Sequence, residues 1–131
     1  MSFGPNRTFI AGGTINPARF VTMSTTAAGF TCVQSTTGDL PVGIADYEGG
    51  VTFPTGSAVA LANTGDSLAV WGNAQQTYLE CGGSVTAADY LKSDVNGKGV
   101  TGTLGTDAIG AQALESGTSG AWIKVIVFTD K

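Results

Sequence analysis

A chain of 131 residues fits one domain, and folding at that length buries roughly two-thirds of the exposable surface, so a core forms without staples. Charged residues make up only 12%, net charge is −4, and the six basic residues are scattered at Arg7, Arg19, Lys92, Lys98, Lys124 and Lys131; this leaves no basic footprint for nucleic acid and no basic stretch for a membrane surface. Histidine is absent, which removes the commonest general base, the commonest zinc ligand and every Ser-His or Cys-His nucleophile pair.

Glycine (20 residues) and threonine (18) dominate the remainder. Threonine and valine favour strands and glycine supplies the turns between them, so the composition predicts an all-β fold, a small β-barrel or sandwich. The opening MSFGPNRTFIAGG has no charged region followed by an apolar run, so it does not read as a signal peptide. Residues 1–14 read as an extended N-terminal arm, and 15–131 as a single β domain. No stretch approaches the length of apolar sequence that spans a bilayer.

Short apolar runs between turn signals predict strands at Arg19–Met23, Phe30–Gln34, Val42–Tyr47, Ala58–Ala62, Ser67–Trp71, Thr77–Cys81, Tyr90–Ser93, Gly99–Thr103, Ile109–Ala113 and Ala121–Thr129. In the last, Ile123, Val125 and Val127 alternate with Trp122, Lys124, Ile126 and Phe128. Both sets carry large apolar groups. That predicts a central strand with one face in the core and the other against a second layer or a neighbouring subunit.

"GKGVTG" at 97–102 has the spacing of a dinucleotide-binding loop, but such a loop opens a helix, and the Gly/Thr run that follows is a poor helix. Asn96-Gly97 instead predicts a two-residue type I′ hairpin turn. "DVNGKG" at 94–99 fails as a calcium loop, because its fifth position is Lys98 and its twelfth is Gly105. Cys32 and Cys81 are far apart and read as buried free thiols. The acids sit mainly beside glycines or in turn-like strings and read as solvated turn residues. No catalytic, metal or cofactor site is expected.

The chain also repeats itself. "INPARFVTM" from Ile15 matches "VTAADYLKS" from Val85, 70 positions on, setting Ala18 on Ala88, Phe20 on Tyr90 and Val21 on Leu91. Gly29-Phe30-Thr31 then falls on Gly99-Val100-Thr101 without a gap. "VGIADYE" (42–48) matches "IGAQALE" (109–115) after a three-residue shift, and "GDSLAVW" from Gly65 matches "GAWIKVI" from Gly120. Two half-units, about 15–71 and 85–128, predict pseudo-twofold pairing in one closed barrel or sandwich, with Gly49–Thr64 inserted in the first.

The order "PARFV", "GIA", "GDSLAVWG", "TAADYLKSDVNGKGV" and "IGAQALESGTSGAWIKVIVF" resembles the small capsid decoration, or cement, proteins of tailed bacteriophages. Residues 86–99 and 109–128 carry the likeness most closely; Ala88 stands where that family often has glycine, and the Gly49–Thr64 insertion is long. The resemblance implies a barrel-like, non-catalytic virion protein, made in the host bacterial cytoplasm and bound to the outer capsid surface. It further implies the major capsid protein as partner and usually a homotrimer, with dimer or monomer as alternatives. Phe3, Pro5, Arg7 and Phe9 of the arm are the capsid-binding candidates. A carbohydrate-binding β-sandwich of a phage fibre or adhesin is the competing reading, with Trp71, Trp122, Tyr47 and Tyr78 as stacking faces. A glycosidase built on a carboxylate pair is a third.

Overall fold

The computed structural model describes residues 6–24, 31–46 and 63–130, and in it the chain follows one five-strand path twice. The first pass comprises β1 (Asn6–Ala11), β2 (Phe20–Met23), β3 (Thr31–Gln34), β4 (Gly43–Ala45) and β5 (Ser67–Trp71). The second comprises β6 (Gln76–Glu80), β7 (Tyr90–Ser93), β8 (Gly99–Thr101), β9 (Ile109–Ala113) and β10 (Trp122–Asp130). No helix occurs among the described residues.

In the first pass the order is β1-β3-β2-β4-β5, closed into a barrel by β1, which pairs antiparallel with β5 and parallel with β3. The second pass repeats the ladder as a five-stranded sheet, β6-β10-β9-β7-β8, curled into an incomplete barrel. Its closing seam, between β6 and β8, carries one parallel bridge, Cys81 to Gly99. The first barrel closes more fully, through Ile10 with Thr31 and Ala11 with Cys32.

The repeat extends to backbone detail. Ala18 and Ala88 both take positive φ, at 57° and 79°, in the same turn 70 positions apart. Each barrel has a core from the inward residues of its strands. Phe9, Ala11, Val21, Cys32, Leu68 and Val70 line the first; Leu79, Leu91, Ala111, Ile123, Val125 and Val127 line the second. Strict alternation along β10 buries Ile123, Val125 and Val127, the core face that the sequence pattern predicts, and leaves Lys124 and Phe128 exposed on the other face.

The all-β barrel or sandwich of two half-units stands as the sequence predicts, and three expectations are corrected. From Asn6 onward the arm is a strand: β1 is the counterpart of β6, runs the length of β5, and buries Phe9 in the first core. Apolar and polar residues alternate too briefly in RTFIA for that pairing to stand out in sequence. The hairpin after β7 is a three-residue loop, with Gly97 N–H donating to Asp94 C=O (3.2 Å) and only Gly97, not Asn96, at positive φ (78°). That is a type I turn followed by a left-handed residue, not a type I′ turn. Finally, Val21 pairs with Gln34 whereas Leu91 pairs with Thr101. The three-residue shift between halves therefore already lies in this hairpin. The strand expected at 58–62 and most of the insertion fall outside the described residues.

Gly97 is constrained twice. A side chain there is strained by its φ, and its Cβ would lie 2.9 Å from Gln34 Cγ and 3.1 Å from the Phe20 carbonyl oxygen. Gly97→Val should therefore destabilise the protein by about 2–4 kcal/mol, combining left-handed strain with overpacking. Urea denaturation measures this; a midpoint equal to that of the wild type would refute the turn assignment.

Candidate functional site

The two barrels meet where residues Ala18–Phe20 of the first lie across the seam of the second. Glu80 N–H donates to Ala18 C=O (2.9 Å), and Phe20 N–H donates to Gly97 C=O (2.8 Å). A short extended segment thus supplies hydrogen bonds to both sides of a sheet opening that its own barrel bridges only once. Phe20 is fully buried and its ring packs on Gly110, where a Cβ would come within 2.5 Å of Phe20 Cε1 and 2.8 Å of Pro41 Cγ. Gly110 is small because an aromatic ring occupies its side-chain space.

Charge fixes the same contact. Arg19 donates from Nε and Nη2 to Glu80 Oε1 (3.2 and 3.1 Å) and from Nη1 to Asn96 C=O (2.9 Å). Lys98 Nζ lies 3.2 Å from Glu80 Oε2. The Arg19 and Glu80 side chains are only 12% and 16% exposed, so removing one partner would strand a charge largely shielded from water. Sequence reading missed Arg19 and Glu80. The usable signal was the repeat itself, which places Arg19 on Asp89 and Phe20 on Tyr90.

The second barrel treats the equivalent segment differently. Asp89 Oδ2 accepts from Thr86 N–H (2.9 Å) and the Thr101 hydroxyl (3.1 Å), while Gln112 Nε2 donates to Ala88 C=O (3.1 Å). Pseudo-twofold symmetry would pair Ile10 with Ala88. Instead Ile10 lies in the ladder between Ser67 and Thr31, so the contact between barrels is heterologous.

Of the predicted capsid-binding residues, Phe3 and Pro5 lie outside the described residues. Arg7 is held by its backbone opposite Val70, and Phe9 is 8% exposed in the first core. Phe9 is therefore a packing residue rather than a docking one. Among the stacking candidates, Tyr47 lies outside the described residues. Trp71 packs against the core at the junction and donates from Nε1 to Asp46 (3.4 Å). Tyr78 and Trp122 are half-buried. An aromatic pair that the sequence reading passed over, Tyr90 and Phe128, stands on the outer face of the second sheet with ring centroids 5.7 Å apart.

The acids serve local structure. Asp39, Asp66, Asp89, Asp94 and Asp107 each accept a backbone N–H within their own turn, and Glu115 accepts from Lys124 N–H. Donation from Thr103 N–H, reinforced by Lys92, holds the Asp107 carboxyl below its ordinary range. No group of three metal-ligating side chains occurs among the described residues.

No protein-family model matches the chain, and no curated protein matches it. Among solved structures it is similar to the N base of the head fibre gp8.5 of bacteriophage phi29, with a TM-score of 0.64 and 14% identity, over 93% of this chain and 92% of that one. The likeness establishes a shared fold across both barrels.

Cys32 and Cys81 are free and buried. Burial pushes the Cys32 thiol up to about 11, and raises Cys81 as well, with the Glu80 and Glu115 carboxylates adding to it. Both thiols should label in the unfolded chain without reductant and resist alkylation in the folded one. The raised folded pKa also sets a sign: unfolded thiols ionise first as pH rises. The stability contributed by Cys32 should be complete below about pH 9 and lost towards about pH 11. Denaturation midpoints across that window should fall less steeply for Cys32→Ala than for wild type; parallel slopes would contradict the assignment.

Proposed function

We propose that this protein is a non-catalytic structural component of a bacteriophage virion that attaches to the outside of the assembled head. The observation that carries the reading is the two-barrel fold, shared along nearly its whole length with the base of a phage head fibre. The resemblance of residues 86–99 and 109–128 to capsid cement proteins supports the same assignment. So does the placement of the acids, which are spent on turns and on the junction between barrels. A rigid, low-charge β body suits a role in which wide contact with a fixed partner replaces chemistry.

In this reading the partner is the major capsid protein, and the protein binds finished heads as a homotrimer and stabilises them. Binding only to the assembled state shifts the equilibrium away from disassembly. Occupancy is raised when several linked copies engage neighbouring seats. The shared fold with a fibre base also supports a second reading, in which the same body anchors a fibre to the head.

Co-sedimentation with mature and immature heads, followed by head melting, tests the proposal. Full-length protein should bind mature heads and raise their melting temperature. Deleting residues 1–5, which keeps β1 whole, should weaken attachment while the barrels stay folded. Undiminished binding by the deletion would remove Phe3 and Pro5 from the interface. Failure of the full-length protein to bind any mature head would overturn the head-attachment reading.

A further inference from the structure

We propose that the contact between the barrels is exchangeable: the β6–β8 seam of one copy accepts the Ala18–Phe20 segment of a second copy, giving a reciprocally exchanged dimer. The proposal does not depend on head attachment. Three features carry it. The seam is incomplete by itself, with the single Cys81–Gly99 bridge, and Glu80 N–H and Gly97 C=O are satisfied by the inserted segment. Once its own segment leaves, a sheet opening of this kind is a natural site for a strand from another chain.

Recognition is also specific and heterologous. Phe20 fits the space left by Gly110, and Arg19 is read by Glu80 and Asn96. Each chain owns one segment and one seam, so two copies that exchange satisfy each other completely and the assembly closes. The equivalent segment of the second barrel cannot extend it, because Ala88 C=O and Asp89 are already engaged within that barrel.

The connection between barrels supplies the hinge. Only residues 72–75 separate β5 from β6, and within them Ala74 takes a φ of 72°, a region disfavoured for alanine. Opening the hinge relieves that conformation and gives up the Ala74 N–H donation to Val127 C=O that ties the linker to β10, while the interface between barrels re-forms in trans. At low concentration the short linker keeps the contact within one chain; at high concentration the second copy competes.

Charge reversal separates the two arrangements. R19E and E80R, prepared separately as full chains, each break the contact, and Cys81 should then label more than about tenfold faster than in wild type. Cys32, in the first barrel, should stay protected. Concentrated together, the two variants complement: one exchanged contact carries the reversed pair and the other the original pair. A species of twice the 13.2 kDa chain mass should appear, with Cys81 protected again. A mixture that stays monomeric, or a dimer in which Cys81 remains reactive, overturns the proposal. Should Cys32 also become reactive in either variant, wild-type chains of two isotopic masses, concentrated and then diluted, provide the measurement. Dimers of mixed mass that decay over hours support exchange, and their absence overturns it.

Discussion

The molecule is organised around one short insertion, the backbone of Ala18–Phe20 laid across the opening of the second barrel. Its two hydrogen bonds are worth little individually, about 1 kcal/mol each net of water. Their importance lies in what their loss would leave: a buried donor at Glu80 and a buried acceptor at Gly97, each penalised by desolvation. The Arg19–Glu80–Lys98 group works the same way. A shielded ion pair adds little over an apolar contact, but breaking it strands a charge. The junction is therefore specific more than it is adhesive. Phe20, with its ring on Gly110, supplies the apolar burial that makes it adhesive as well.

Duplication explains the fold, and divergence explains the junction. At the position of the inserted segment the first barrel has Arg19 and Phe20, the second Asp89 and Tyr90. Arginine reaches outward to the neighbour, whereas aspartate turns back to cap Thr86. The strand beside it has Ile44 in the first barrel, buried at the junction, and Gln112 in the second, where its amide satisfies Ala88. Three substitutions at equivalent sites convert a donating surface into a self-satisfied one without altering the ladder.

The strands of the second half were legible in sequence almost residue for residue, because alternation in AWIKVIVFT and the flanking glycines leave few other arrangements. Gly65 and Gly120, both at positive φ, mark equivalent turns and made the repeat visible. The first strand was not legible. In a parallel pairing with β3 and an antiparallel one with β5, what matters is the partner, and RTFIA alone does not announce one. The turn type at Asn96-Gly97 was misread for a related reason. The dipeptide fits both a two-residue and a three-residue loop, and the choice is made by Asp94, whose carboxylate collects the N–H groups of Asn96 and Lys98. The junction was beyond single-residue reading altogether. Arg19 and Glu80 are 61 positions apart, and only comparison of the halves singles out an arginine where the repeat has an aspartate.

A head-to-tail repeat has a general difficulty: each unit that docks on the next leaves an unmatched surface at each end, and the array continues unless those ends are closed. Here both ends are closed by ordinary side-chain and ladder chemistry. At the second barrel, Asp89 and Gln112 satisfy the turn that would otherwise insert. At the first, β1 and β3 pair over Ile10–Thr31 and Ala11–Cys32, so its seam has no vacancy comparable to that between β6 and β8. Neither end therefore offers both a free inserting segment and an open seam on which a further unit could dock in the same way. Among the described residues, what faces outward is the Tyr90–Phe128 pair, the exposed side of β10, and turns whose acids are already spent on their own backbone. How the two barrels are held together traces back to one segment, Ala18–Phe20, and to the charges and the aromatic ring that seat it.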